Sequence, residues 1–117
     1  MGKIIAYCRE ECHHSMETVD ILSKLKNKYN IDIKYIKNNE IDKNNIKNEL
    51  KQIINDHNTF PIIIYETTKR KYFLIGGNTD IQNIIELSTQ VNSKEDILKL
   101  NLNKEQKRVL YYLFLNK

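Results

Sequence analysis

The strongest constraint on the fold is the alternation of two periodicities along residues 3–87. Short apolar runs rich in β-branched residues are typical of buried strands, whereas apolar residues repeated every three or four positions are typical of helices with one buried face. Strand-like runs occupy residues 3–7, 31–36, 62–65 and 71–75. Helical periodicity follows the first, second and fourth runs, so the predicted order is strand, helix, strand, helix, strand, strand, helix.

The helical segments have recognisable starts. The second covers residues 41–56 with Asp42 as its cap, and the third has Asp80 in an acidic first turn. The first begins at Ser15 and ends near Tyr29, and its predicted buried face is Met16, Val19, Ile21, Leu22 and Leu25. Such an alternation, closed by a hairpin, predicts an α/β fold with a central four-stranded mixed sheet flanked by helices.

The chain continues beyond this pattern as a helical extension. We divide it into a domain of residues 1–88 and an extension of residues 89–117, in which Ser93 is a candidate cap. A last helix is predicted from Asn103, where Gln106 completes a capping box, with an inner side formed by Val109, Leu110, Leu113 and Phe114. We expect the extension to pack back onto the domain, because a small core gains from extra coverage; the alternative is that it holds a partner.

Composition narrows the function classes. The net charge of +4 permits nucleic-acid binding, but basic residues cluster only at Lys69-Arg70-Lys71, so we predict no nucleic-acid partner. No apolar run approaches the roughly 20 residues that span a bilayer, and we expect a cytoplasmic protein without a membrane partner. Two cysteines in a reducing compartment favour a reactive or metal-binding role over a structural disulfide.

Cys12 lies at the predicted junction of the first strand and the first helix. Unpaired N–H groups and the helix dipole at such a position stabilise an anion, so they favour the thiolate. Arg9 adds positive charge nearby, whereas the carboxylates of Glu10 and Glu11 raise a thiol pKa. Cys12 is therefore the candidate nucleophile, and the sequence leaves the balance of these charges open.

Three motifs follow one another in an order that resembles the glutaredoxins. They are Cys12-His13-His14-Ser15 after a strand, Thr59-Phe60-Pro61 before another strand, and Gly76-Gly77-Asn78-Thr79-Asp80 before a helix. The resemblance covers about residues 3–87, and the Gly-Gly-x-x-Asp element favours glutaredoxin over thioredoxin itself. It implies a thioredoxin-like fold. Because Ser15 replaces the second cysteine of the dithiol motif, the chain resembles the monothiol type.

The resemblance implies a glutathione-dependent thiol–disulfide oxidoreductase, or deglutathionylase, with Cys12 as its catalytic thiol. Implied partners are glutathione, as co-substrate, and glutathionylated or disulfide-containing proteins; we expect a monomer. Arg9 would pair with a glutathione carboxylate, and the backbone at Phe60 would bind the extended tripeptide. The full set of implied glutathione-binding positions is Arg9, Thr59, Phe60, Pro61, Gly77, Asn78, Thr79 and Asp80.

Departures from the family keep two other functions open. Glu11 replaces the aromatic residue often found before the cysteine, and His13 and His14 replace the Gly and Phe of the cluster-binding monothiol members. The first alternative is a non-catalytic glutaredoxin-like module that binds a protein partner. The second is a [2Fe-2S] cluster shared between two chains, which the two histidines disfavour.

Cys8, His13, His14 and Ser15 are accessory candidates beside Cys12. Cys8 either resolves a disulfide with Cys12 or is a small core residue at the end of a strand. Protonated His13 or His14 would stabilise the thiolate. No metal site is predicted from these cysteines and histidines, because adjacent histidines point in different directions and no second ligand pair follows.

Overall fold

The computed structural model describes residues 2–54, 57 and 59–115. Within these residues it contains four strands and six helices. In chain order they are β1 (Lys3–Arg9), α1 (His13–Ser23), β2 (Ile31–Ile36), α2 (Glu40–Glu49), α3 (Lys51–Ile54), β3 (Ile62–Glu66), β4 (Tyr72–Gly76), α4 (Asn78–Gln90), α5 (Lys94–Leu98) and α6 (Lys104–Leu115).

The strands form one mixed sheet in the order β2-β1-β3-β4, which confirms the predicted fold class. β1 and β2 are parallel, and β3 is antiparallel to both β1 and β4. Tyr7 of β1 lies opposite Ile62, and Ile63 lies opposite Gly76 of β4. The β3–β4 register then shifts, so that Ile75 is the additional residue of a β-bulge.

Alternate side chains of β1 enter two separate apolar clusters, one on each face of the sheet. Ile4, Ala6 and Cys8 belong to the cluster that α1, α4 and α6 cover. Ile5 and Tyr7 belong to the cluster closed by residues of the α2–α3 region. The sequence of β1 is a continuous apolar run because the strand is buried on both faces, so neither set of alternating side chains contacts water.

The first helix differs from its prediction at both ends and on its buried face. It begins at His13 and its regular part ends at Ser23, after which single turns continue toward Tyr29. Met16 is 40% exposed, and the fully buried positions are Ser15, Thr18 and Leu22. Leu22 of the predicted face is fully buried, and Val19 and Leu25 pack against the first apolar cluster, so the apolar periodicity placed the face correctly except at Met16 and missed the buried polar residues Ser15 and Thr18.

The second predicted helix is divided into α2 and α3, which are separated at Leu50. Its N-cap is Asn39 rather than Asp42: the Asn39 side-chain oxygen accepts a hydrogen bond of 2.8 Å from the Asp42 backbone N–H. Ile41, in the first turn of α2, is 74% exposed. The predicted end at residues 55 and 56 lies outside the described residues.

The C-terminal helices begin where the sequence predicted. The Ser93 hydroxyl accepts a hydrogen bond from the Asp96 N–H at 3.2 Å, and Asn103 and Gln106 exchange backbone-to-side-chain hydrogen bonds. Val109 and Leu113 of α6 enter the first apolar cluster beside the sheet. Residues 116 and 117 lie outside the described part. Among the helices described, none combines the length and apolar character needed to cross a membrane.

Candidate active site

The three sequence motifs meet at one end of the sheet. β1 ends at Arg9, β3 begins at Ile62 and β4 ends at Gly76. These three ends lie together, because β1 and β4 both run antiparallel to β3. α1 and α4 also begin there, and they are joined by the Thr18 hydroxyl, which lies 2.8 Å from the Asn78 side-chain oxygen.

Cys12 is the N-cap residue of α1, and its backbone is extended. Its carbonyl oxygen accepts the first helical hydrogen bond, from the Met16 N–H at 2.9 Å. Its side chain makes no capping hydrogen bond and is partly exposed. The preceding residue, Glu11, has a φ of 60°, a left-handed conformation that turns the chain from the strand into the helix. The thiol is therefore accessible and faces the unpaired N–H groups of the first turn.

The pKa of Cys12 lies below its ordinary value. Partial burial acts to raise this pKa, but interactions with the backbone N–H and the hydroxyl of Ser15 lower it. The positive charge of Arg9 and the His14 backbone N–H lower the pKa further. The balance that the sequence left open is thus in favour of the thiolate, and the helix terminus supplies most of the stabilising groups.

Ser15 has a second contact that fixes its position. It is fully buried, and its hydroxyl oxygen accepts a hydrogen bond of 3.0 Å from the backbone N–H of Arg9. The same hydroxyl interacts with the Cys12 thiol. Ser15 therefore connects the end of β1 to the first turn of α1, beneath the candidate nucleophile.

Cys8 is a core residue in this structure. Both cysteines are free thiols, and Cys8 is fully buried in the first apolar cluster. Burial, and then the charge of Cys12, raise the pKa of Cys8 to about 12. Cys8 therefore stays protonated at neutral pH, which favours the core interpretation of this residue over the resolving-thiol interpretation.

His13 and His14 project into solvent at the start of α1. Their rings meet edge to face with centroids 5.7 Å apart, and Nε2 of His13 lies 3.7 Å from the Glu17 carboxylate. Across residues 2–54, 57 and 59–115, no group of three or more His, Cys, Asp or Glu side chains is arranged to hold a metal ion.

Arg9 carries an unpaired donor at this end of the sheet. Its Nε atom is buried and has no hydrogen-bond partner among the residues that the structure describes. A buried donor without an acceptor is costly, and a carboxylate is the acceptor that a guanidinium favours. Arg9 Nε is therefore a candidate donor for a carboxylate at this end of the sheet.

The Thr59-Phe60-Pro61 segment enters β3 through a cis peptide bond between Phe60 and Pro61. Thr59 is exposed, whereas the Phe60 side chain packs into the second apolar cluster. The Lys47 ammonium lies 6.0 Å from the Phe60 ring centroid. Since the Phe60 side chain is directed into the protein, only its backbone is placed to contact a ligand.

The glycine turn after β4 positions Asp80. Gly76 has a φ of 129°, and the backbone N–H of Gly77 donates a hydrogen bond of 2.8 Å to Oδ2 of Asp80. Asn78 is buried against α1, whereas Thr79 is exposed in the first turn of α4. Of the predicted ligand-binding side chains in this turn, Thr79 and Asp80 remain on the accessible side.

Two residues of the site were missed by sequence reasoning. The side-chain amide of Gln106, in α6, donates a hydrogen bond of 2.9 Å to the carbonyl oxygen of Ile75, the bulge residue. It donates a second hydrogen bond, of 3.4 Å, to Oδ1 of Asp80. His57 donates from Nε2 to the Pro61 carbonyl oxygen at 3.1 Å. Gln106 was recognised only as a capping residue, and no sequence pattern indicates a contact 31 residues apart along the chain.

Comparisons with known proteins agree with this architecture. The chain matches no protein-family model, and it matches no curated protein. Among solved structures it is similar to the crystal structure of glutaredoxin 1 from Francisella tularensis, complexed with cacodylate. The two are 18% identical, with a TM-score of 0.58, and the match covers 78% of this chain and 100% of that chain. The thioredoxin-like fold of a glutaredoxin is therefore shown, with part of this chain additional to it.

Proposed function

We propose that this protein is a glutathione-dependent thiol–disulfide oxidoreductase, a deglutathionylase, that uses Cys12 as its single nucleophile. The observation that carries the proposal is the contrast between the two thiols. Cys12 is accessible at the head of α1 with a lowered pKa, and Cys8 is buried with its pKa raised to about 12. Thiol–disulfide exchange needs a thiolate that reaches its target sulfur in line, and of the two cysteines it is Cys12 whose lowered pKa and exposure favour these conditions.

The reaction follows from one thiolate and two molecules of glutathione. The Cys12 thiolate attacks the glutathione sulfur of a protein–glutathione disulfide, and the protein leaves as a thiolate that takes a proton from water. A second glutathione, as its thiolate, attacks the glutathione sulfur attached to Cys12. Oxidised glutathione leaves and the Cys12 thiolate is restored, so the electrons that reduce the protein come from glutathione.

Three features support glutathione as the co-substrate. The unpaired Nε–H of Arg9 would donate a hydrogen bond to a glutathione carboxylate. The backbone of Phe60, which precedes Pro61 at the entry to β3, would bind an extended peptide. The start of α4, with Thr79 and Asp80, would bind the γ-glutamyl end, where helix N–H groups favour a carboxylate and the Asp80 carboxylate favours an amine.

The test is alkylation by iodoacetamide as a function of pH, together with reduction of a glutathione mixed disulfide, on wild type, Cys12→Ser and Cys8→Ala. We expect the wild type and Cys8→Ala to show the same low apparent pKa and the same turnover, and Cys12→Ser to lose both. Equal loss in Cys8→Ala, with its far-UV circular dichroism unchanged, would contradict the single-thiol mechanism.

A second candidate is a non-catalytic module that binds a protein partner. The observation that favours it is the pair of exposed carboxylates, Glu10 and Glu11, directly before Cys12, because they repel the anionic groups of glutathione. The same experiment separates the candidates. A Cys12 that titrates like a free thiol, without turnover, would favour the binding module.

A further inference from the structure

A cavity lies between α5 and α6, and none of the residues that line it is assigned to glutathione. It has a volume of about 400 Å³, which is within the range of small-molecule sites. Lys94 and Leu98 of α5 line one side, and Lys104, Lys107 and Tyr111 of α6 line the other. The α6 residues that line it recur at intervals of three and four, so they share one face of the helix.

The cavity is strongly cationic. Four of its side chains carry positive charge, namely Lys94, Lys104, Lys107 and Arg108. Within the described residues none of the four forms an ion pair with a carboxylate. Like charges gathered without counter-charges produce a positive potential that attracts anions.

Three of these cations contact neutral groups. The Lys107 ammonium donates a hydrogen bond of 2.9 Å to the backbone carbonyl oxygen of Leu98, which is a neutral acceptor. The Lys94 ammonium lies 5.7 Å from the centroid of Tyr111, and the Arg108 guanidinium lies 5.6 Å from that of Phe73. Such contacts hold the cations in place against carbonyl and aromatic groups without adding negative charge.

The remaining wall of the cavity is apolar. Leu98 is 59% exposed at its rim, and Tyr111 presents a half-buried ring. An inorganic anion would leave this wall in contact with water, and a neutral ring would leave the cations without a partner. The occupant that satisfies both parts has a planar apolar ring and an anionic group on the same small molecule.

We propose that the cavity between α5 and α6 is a binding site for a small aromatic anion, a ring that carries a phosphate, sulfonate or carboxylate group. The ring lies against Tyr111 and Leu98, and the anionic group lies among Lys94, Lys104 and Lys107. The site is independent of Cys12 chemistry.

The probe is 8-anilinonaphthalene-1-sulfonate, an aromatic sulfonate whose fluorescence reports binding. The cavity variant, the double substitution Lys94→Gln/Lys104→Gln, removes two exposed positive charges from the cavity. The turn variant, Lys69→Gln/Lys71→Gln, is the control, because it removes the same number of charges from an exposed turn that does not line the cavity. We expect the cavity variant to bind the probe about twofold to thirtyfold more weakly and the turn variant to bind as wild type does. Equal weakening in both variants, or no saturable binding to wild type, would overturn the proposal.

Two further measurements fix the place and the ligand class. Amide chemical-shift changes on probe binding should centre on α5 and α6, including Leu98 and Tyr111; changes centred on the Cys12 end of the sheet would overturn the assignment. Adenosine monophosphate should displace the probe, whereas adenosine and inorganic phosphate at the same concentration should displace it much less. If either one alone displaces it as well as the nucleotide does, the two-part ligand is refuted.

Discussion

The substitution Gly76→Ala tests how the glycine turn holds Asp80. Gly76 has a φ of 129°, which costs an L-residue about 1–3 kcal/mol. An added Cβ would overlap Oδ2 of Asp80 and lie 2.7 Å from its Cγ. Asp80 cannot move away without breaking the hydrogen bond from the Gly77 N–H, and such a bond to a charged group contributes about 1.5–3 kcal/mol.

The two effects together predict a loss of about 2.5–6 kcal/mol in the free energy of unfolding, a large share of the total of about 5–15 kcal/mol for a small domain. The assay is equilibrium unfolding in urea, with Gly77→Ala as the matched control. Gly77 has a φ of −106°, and a Cβ there would meet its nearest neighbour at 3.6 Å. We therefore expect the control to change stability by no more than about 1 kcal/mol.

A double-mutant cycle separates the two effects. In an Asp80→Ala background the overlap with the carboxylate is gone and only the Cβ of residue 80 remains, at 3.0 Å, so Gly76→Ala should cost mainly the backbone part, about 1–3 kcal/mol. A cost for Gly76→Ala equal to that of Gly77→Ala, or an identical cost with and without the Asp80 carboxylate, would refute the reasoning.

The remaining predictions concern the residues around the two thiols. Ser15→Ala should raise the Cys12 pKa, measured by alkylation, because the Ser15 hydroxyl donor is lost; an unchanged pKa contradicts this role. The same substitution should lower the free energy of unfolding in urea by about 1–3 kcal/mol, because the Arg9 backbone N–H loses its acceptor. The pKa of Cys8 is raised from 9.0 to about 12, so the unfolded chain releases this proton first as the pH rises above 9.0. The stability of wild type relative to Cys8→Ala should therefore fall above pH 9.0 by up to about 1.4 kcal/mol per pH unit, whereas a pH-independent difference would exclude a protonated buried thiol. The lowered pKa of Cys12 gives the opposite pH dependence. Its contribution to the stability of the folded protein is complete above pH 9.0 and is lost as the pH falls through the folded pKa, and a comparison of wild type with Cys12→Ala should show this loss.

Apolar periodicity was sufficient for the sheet, and capping residues were sufficient for the starts of the C-terminal helices. Every predicted strand lies within two residues of its observed bounds, because each of these runs is short and apolar. Periodicity was incomplete in α1: it found Leu22 but missed Thr18, which is buried although it is polar. Its hydroxyl is satisfied by the His14 carbonyl and by Asn78, a partner that only the folded chain supplies.

The candidate site also has some features that the sequence predicts and others that depend on the folded structure. The sequence located Cys12 at the head of a helix, since that position depends on neighbouring elements along the chain. The direction of its pKa shift depends on the Ser15 hydroxyl and the Arg9 guanidinium, whose distances are set by folding. The buried state of Phe60 could not be predicted either, because it depends on the packing of α2 and α3 against the sheet.

The Gln106 amide has a consequence for how this fold can vary. It belongs to the last helix, yet it is bonded to the bulge carbonyl of Ile75 and to the Asp80 carboxylate. A deletion of α6 would leave both acceptors without this donor, at the turn that forms one wall of the candidate site. The extension is therefore not a neutral appendage, because its last helix supplies a hydrogen-bond donor to the glycine turn.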